Sequence, residues 1–424
     1  MMNETAPKGL RLHIGLFGRR NAGKSTLLNT LTRQNISIVS DVAGTTTDPV
    51  EKPMELLPIG PVLFIDTAGI DDVGALGELR AAKTRQVFDR TDIALLVLDL
   101  SRAREGEKVW DAFEESLSAE FAARQVPFLA VLNKADLSAP PESLIQFLTE
   151  RKIPWTVMAS PAAADLHGRN AEGTGALRDK IVELLPGDFI QPRPIVSDLL
   201  ERGNTAVLVV PIDKEAPKGR LIMPQVQTLR DILDAGCTAI VTQPEQLSGV
   251  LSALSAPPAL VITDSQAFRQ VDSAVPQEVP LTSFSILFAR QKGDFSAMTE
   301  GARKLLCLPP TARILIAEAC SHRPITEDIG TEKIPRLLRQ KLGNSIEIGH
   351  VQGHQFPETD EELARWDLVI HCGACVWNRR EMLRRIARCA AAGVPITNYG
   401  LALACLGGIL DRASAPVEKG SESV

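Results

Sequence analysis

Two sets of residues in this chain have the types and spacing to do chemistry. The first is Cys320-x-His322 with His371-Cys372-x-x-Cys375, about fifty residues further on. The two-residue spacer Gly373-Ala374 lets two thiolates grip one metal centre, and its small residues permit the tight turn. Zinc accepts three cysteines and a histidine as a closed tetrahedron, while a 4Fe-4S cluster takes three cysteines and tolerates an exchangeable fourth ligand. Spacing alone favours neither. His322 and His371 are candidate ligands beside Cys320, Cys372 and Cys375, and each could instead orient a neighbour.

The second set opens with Gly18-Arg19-Arg20-Asn21-Ala22-Gly23-Lys24-Ser25, a G-x-x-x-x-G-K-S phosphate loop between a strand and an apolar helix. Glycines let backbone N–H groups wrap phosphates at the positive end of such a helix. Gly18, Asn21, Ala22, Gly23 and Thr26 are candidate contacts; Lys24 would bridge the β- and γ-phosphates, and Ser25 would bind Mg²⁺. Three further motifs follow in order. In Gly44-Thr45-Thr46-Thr47-Asp48, Thr45 lines the site and Thr46 ligates Mg²⁺ only while a γ-phosphate is present. In Asp66-Thr67-Ala68-Gly69, the carboxylate supports the metal's water shell and the Gly69 N–H meets the γ-phosphate. In Asn133-Lys134-Ala135-Asp136, the Asp136 carboxylate accepts from N1–H and the exocyclic amine of guanine, donors that adenine lacks. A fifth motif is blurred into Met158-Ala159-Ser160, with Ala159 as its candidate contact. Together these imply guanine-nucleotide (GTP/GDP) chemistry with Lys24, Asn21, Thr46 and Gly69 at the reacting phosphate.

Where Ras-like enzymes carry a water-orienting glutamine after the third motif, this chain reads Gly69-Ile70-Asp71-Asp72. Intrinsic hydrolysis should therefore be slow without another source of positive charge. The side-chain oxygen of Asn21 could hold K⁺ against the phosphates, an arrangement similar to the potassium-activated GTPases of the tRNA-modification and ferrous-iron-transport families. The plainer role for Asn21 is to shape the loop.

The elements that position these residues read as α/β throughout. Apolar runs Leu12–Phe17, Val62–Ile65, Ile93–Leu98, Phe128–Leu132 and Trp155–Met158, separated by helical stretches, predict a mostly parallel sheet covered on both faces over residues 8–185. Prolines between Pro186 and Pro194 predict a linker. A second α/β pattern spans 194–280 and holds no motif with chemistry. A third, 281–412, predicts strands Arg313–Ala317, Ser345–Ile348, Asp367–Ile370 and Val394–Thr397 with helices Thr331–Leu342, Arg379–Ala391 and Leu401–Leu406. Both cysteine groups follow strands of this unit, and open parallel sheets collect ligands outside their strands' carboxyl ends. The polar tail after Asp411 is expected to be disordered.

Composition excludes several classes. A net charge of −6, one Tyr and four Trp offer neither a basic footprint nor stacking platforms for nucleic acid. No apolar run approaches the roughly 20 residues that cross a membrane. The strand so near the N-terminus leaves no export signal expected. Seven cysteines, odd in number and thinly spread, read as reduced thiols in the cytoplasm apart from those on metal. Cys237, Cys307, Cys389 and Cys405 read as small buried hydrophobes, and His350 and His354 as members of a solvated loop.

With Asn21 in the phosphate loop, Gly44–Asp48, the segment Pro217–Thr228 and C-x-H…H-C-x-x-C in this order, the chain resembles the FeFe-hydrogenase maturation GTPases over nearly its full length. That resemblance implies a GTPase domain, a dimerisation domain forming a homodimer, and a domain whose three matching cysteines ligate a 4Fe-4S cluster. It also implies a scaffold or carrier that takes a diiron precursor, made with radical SAM maturases, to apo FeFe-hydrogenase. The competing expectation is a ribosome- or tRNA-associated GTPase with a structural zinc module.

Overall fold

In the computed structural model the described residues are 6–33, 49–67, 86–104, 106–159, 169–190, 193–212, 221–319 and 328–421. The chain divides into two compact units, Met1–Pro192 and Arg193–Val424. The first unit is built on strands β1 (Leu12–Phe17), β2 (Val50–Leu56), β3 (Gly60–Asp66), β4 (Ile93–Asp99), β5 (Phe128–Asn133) and β6 (Trp155–Val157). They form one sheet in the order β2-β3-β1-β4-β5-β6, parallel except for β2 against β3. Helices α1 (Lys24–Arg33), α2 (Ala112–Ala123), α3 (Glu142–Glu150) and α4 (Arg169–Glu183) complete the elements used below.

The central strands are continuous apolar runs because both sheet faces are covered. Leu12, Ile14 and Leu16 share a core with Leu28, Leu31, Leu177 and Ile181. Phe17, Leu96 and Leu98 face the other way, onto Phe121 and Leu148. The sequence reading did not anticipate β2, which carries Glu51, Lys52, Pro53 and Glu55 at the sheet's edge.

Glu51 on that strand accepts from Lys8, whose Nζ lies 2.7 Å from Oε2, and pairs with Arg90. Burial raises its pKa, but Arg90 and Lys8 outweigh this and hold it at about 2. A depressed carboxylate stabilises the fold above its unfolded pKa and loses that contribution as pH falls through the folded value. Glu51→Gln should therefore cost about 1–2 kcal/mol at pH 7 after solvent screening. Calorimetry across pH should show the gap to wild type closing between pH 4.5 and 2.

The second unit holds two four-stranded parallel sheets. One contains β7 (Thr205–Val209), β8 (Thr238–Thr242), β9 (Leu260–Thr263) and β10 (Leu281–Ser283) in the order β10-β9-β7-β8. The other contains β11 (Arg313–Glu318), β12 (Glu347–Gln352), β13 (Leu368–His371) and β14 (Ile396–Asn398) in the order β12-β11-β13-β14. Its principal helices are α5 (Met223–Asp234), α6 (Phe284–Lys292), α7 (Phe295–Leu305), α8 (Ile334–Leu342), α9 (Arg379–Ala391), α10 (Tyr399–Gly407) and α11 (Leu410–Ser421).

A single core joins the two sheets. Leu208 and Ile262 from one and Ile314, Ile316 and Ile370 from the other pack with Phe284, Leu287 and Phe288 of α6 and Met298 and Leu305 of α7. The sequence reading assigned no element to Phe284–Leu305, yet this pair of helices carries that junction. β10 begins at Leu281, the residue where that reading starts its third segment.

The expected disordered tail is corrected: α11 continues to Ser421, with Ala413 and Val417 fully buried. Small residues four apart let this helix sit close to β10, where Thr282 Oγ1 donates to Ala413 O at 2.8 Å. Arg412 donates to Asp272 Oδ1 at 2.6 Å and to Pro276 O at 2.7 Å.

Candidate functional site

The phosphate loop leaves β1 between β3 and β4, at the carboxyl ends of the parallel strands. A Cβ on Gly23, which has φ +93°, would stand 2.3 Å from Asn133 Nδ2, so only glycine fits there. Asn133 in turn donates from Nδ2 to Ala22 O at 2.8 Å, tying the base-recognition motif to the loop. Lys24 is buried, its Nζ donating to Gly18 O and Arg19 O at 2.7 Å each. Ser25 Oγ donates to Asp66 Oδ2 at 2.6 Å, which brings two hard oxygen ligands together as Mg²⁺ requires. Burial raises the Asp66 pKa against the pull of Ser25 and Lys24. A divalent cation would offset that cost.

Asn21 is exposed with φ +63°, a region that asparagine tolerates better than most residues. Lys134 also has φ +63°, and its Nζ meets Asp99 Oδ2 at 2.5 Å. Asp136 is exposed in the turn after β5; Met158 accepts from Ala135 N at 3.1 Å; Ala159 is half-buried and Thr26 exposed. Thr45, Thr46, Gly69, Ile70 and Ser160 lie outside the described residues.

Sequence reasoning missed what anchors this loop. Arg19 Nε donates to Glu114 Oε1 at 2.8 Å and its NH2 to Asp111 Oδ1 at 2.5 Å. The same two carboxylates form the capping box of α2, with Asp111 accepting from Phe113 N and Glu114 from Asp111 N. The pattern Asp-x-x-Glu before an apolar run was the available signal.

In the second unit, β11 and β13 are neighbours with Ala317 in register with His371. Cys372 therefore stands beside the end of β11. Ala319, the residue before Cys320, donates its N–H to Cys372 Sγ at 3.0 Å, and Ala374 N lies 3.4 Å from the same sulfur. Burial pushes the Cys372 thiol up to about 11, while these two N–H groups pull the other way by favouring the thiolate. Donors aimed at a sulfur suit a ligating thiolate. Cys375 is half-buried three residues on, after Ala374 in the left-handed region at φ +48°. Cys320 and His322 lie outside the described residues. Among the described residues, no three His, Cys, Asp or Glu side chains gather as a metal site.

His371, named above as a candidate ligand or an orienting residue, takes the orienting position in this structure. It is fully buried, with Nδ1 2.8 Å from Cys372 O and Nε2 3.1 Å from Arg385 NH1. A guanidinium only donates, so Nε2 accepts and the proton sits on Nδ1, donated to Cys372 O. Burial and then Arg385 push its pKa down to about 3, so the ring is neutral. Both ring nitrogens have partners here, and through Nδ1 His371 supports the main chain of Cys372. Arg385 is itself held between Trp377 and Phe356, 4.2 and 4.5 Å from the ring centroids.

His350 departs from expectation by lying on strand β12, whereas His354 is in the turn after it, stacked on Trp377 with Nδ1 2.7 Å from Glu381. Cys237, Cys389 and Cys405 are buried as expected, but Cys307 is exposed in the turn after α7. Glu318, which sequence reasoning did not single out, closes β11 and accepts from Tyr399 Oη at 2.9 Å and Gln352 Nε2 at 3.2 Å.

Residues 195–293 match the family model for the Hydrogen maturase F dimerization domain, and 296–416 that for the Hydrogen maturase F tetramerization domain. The chain belongs to the hydrogen maturase F family. Residues 13–134 of this hydrogen maturase F chain match the model for a 50S ribosome-binding GTPase, so its first unit is a P-loop GTPase domain. The tRNA modification GTPase MnmE of a Synechococcus species is 35% identical over 203 residues, 42% of this chain and 43% of that protein. GTPase Der of Wolinella succinogenes is 46% identical over 101 residues, 23% of this chain and 21% of the relative. The maturase chain thus spans less than half the length of these relatives. A crystal structure of Aquifex aeolicus Era bound to GDP·AlF4⁻ is similar at 21% identity and TM-score 0.32, covering 55% of this chain and 93% of that one. Among the described residues, no helix of the maturase is long and apolar enough to cross a membrane.

Proposed function

We propose that the chain is a GTP-hydrolysing scaffold that holds a 4Fe-4S cluster on Cys320, Cys372 and Cys375 and carries a diiron precursor to apo FeFe-hydrogenase in the cytoplasm. Radical SAM maturases would supply that precursor. The observation that carries the reading is the Ala319 N–H donated to Cys372 Sγ at 3.0 Å, which puts the residue next to Cys320 against the other cysteine pair. When bound, the cluster supplies an iron position whose fourth ligand can be exchanged, which suits attachment and release of cargo. His371, itself held by Arg385, fixes the Cys372 carbonyl, and the N–H groups of Ala319 and Ala374 face its sulfur. Family membership over 195–416 favours this reading over the structural zinc module. Exposed Val226 and Leu233 on α5 and Val241 on the edge strand β8 support a homodimer through that face.

In the first unit, Lys24 would stabilise charge developing on the γ-phosphate, Ser25 and Asp66 would hold Mg²⁺, and Thr46 and Gly69 would sense the γ-phosphate. Hydrolysis would release the Thr46 segment and so act as a timer. The Asn21 side-chain oxygen would hold K⁺. Because Asn21 has φ +63°, Asn21→Gly removes that oxygen without straining the loop. It should abolish K⁺ stimulation of GTP turnover while leaving the rate in Na⁺ unchanged; retained stimulation would leave Asn21 as a loop-shaping residue alone. The function itself is tested by anaerobic reconstitution with iron and sulfide, loading in the presence of the radical SAM maturases, and then incubation with apo-hydrogenase. Brown protein with acid-labile sulfide that activates hydrogenase is the expected result, and colourless protein with one zinc would overturn it.

A further inference from the structure

Building on the cluster reading, we propose that Lys292, the last residue of α6, is a positioning residue that fixes the Cys372–Cys375 loop and sets a positive charge against it. Its Nζ donates to Ala374 O at 3.0 Å, Cys375 O at 3.1 Å and Trp377 O at 2.6 Å. These use all three protons of an ammonium. The residue is 4% exposed, and lysine is almost never buried so fully without a partner. Here the partner is the main chain of a candidate metal loop.

The geometry of that loop explains why a cation belongs there. Ala374, at φ +48°, turns the chain so that its carbonyl meets Lys292 while its N–H lies 3.4 Å from Cys372 Sγ. The cation and the sulfur thus sit on two successive peptide groups that flank the Ala374 α-carbon. The positive ammonium favours the thiolate forms of Cys375 and Cys372 through space. The attachment is reciprocal: Arg379, at the start of α9, donates from NH1 to Gln291 O at 3.1 Å and Gly293 O at 2.9 Å, on either side of Lys292. The end of α6 and the cysteine loop are therefore locked from both directions.

Two consequences follow for a bound cluster. Cysteine carbonyls that already have donors cannot swing away, so the sulfurs stay in place when iron leaves. A fixed cation also lowers the energy of the more negative, reduced cluster, which raises its reduction potential. Lys292 lies within the dimerization segment 195–293, whereas the cysteines lie in the segment 296–416. The metal site accordingly takes a structural part from the neighbouring segment.

The test uses the full chain reconstituted anaerobically with iron and sulfide, comparing wild type, Lys292→Met and Lys292→Arg. Iron release to a chelator and the midpoint potential, followed by electron paramagnetic resonance, are the readouts. Lys292→Met should release iron about tenfold faster and titrate at a more negative potential. Lys292→Arg, which keeps the charge, should return the potential to the wild-type value. If Lys292→Met does not fold, Lys292→Gln, whose amide still donates to two carbonyls, must show the same negative shift. Wild-type release and potential in the uncharged variants would overturn the role of Lys292, as would an arginine variant shifted as far as the methionine one. Failure of the wild type to take up iron would instead overturn the cluster reading and this role with it.

Discussion

Lys24→Ala should lower single-turnover GTP hydrolysis about a thousandfold, the loss seen when a preorganised cation is removed from phosphoryl transfer. The side chain is 7% exposed and already lies inside the loop, donating to Gly18 O and Arg19 O at 2.7 Å each. It therefore needs little reorganisation to meet a phosphate, and an alanine leaves both carbonyls and the phosphate without a donor. Nucleotide affinity should fall as well, because the contact exists in the ground state before it strengthens in the transition state. Rapid-quench kinetics with radiolabelled GTP and equilibrium binding of GDP separate the two effects. A loss below tenfold would mean that hydrolysis depends on some other cation.

Cys372→Ser should abolish stable iron binding, with cluster affinity reduced at least about a hundredfold. Serine keeps the shape but replaces a soft thiolate with a hydroxyl that iron–sulfur clusters do not favour. Cys372 is the thiol on which the two ends of the site converge, since Ala319 N and Ala374 N both point at it. Hydrogenase activation should disappear together with iron and sulfide, while GTP turnover stays intact. Cys307→Ser is the matching control, because Cys307 is exposed in the turn after α7. Equal iron content in the two variants would sink the assignment of Cys372.

Much of this was legible in the sequence because it is written locally. Ile93–Leu98 was readable as a strand from its unbroken apolar run, and β4 spans Ile93–Asp99. The phosphate loop and Asn133-Lys134-Ala135-Asp136 are contiguous motifs whose mechanism fixes their spacing. What escaped depends on partners far apart in the chain. β2 alternates charges with Met54 and Leu56 and includes Pro53, which an edge strand tolerates and a central one does not. His371 was singled out because it adjoins Cys372, but its contact with Arg385, 14 residues later in α9, has no local signal. Lys292 and Ala374 are 82 residues apart, with no pattern linking them. The final helix was hidden by small and polar residues, whose value lies in close approach to β10 rather than in hydrophobicity.

That helix carries a consequence for assembly. By lying along β10, α11 roofs one margin of the sheet β10-β9-β7-β8 and leaves β8 as its other end. Strand pairing through this sheet is then confined to β8, where two copies joined edge to edge leave no free strand for a third.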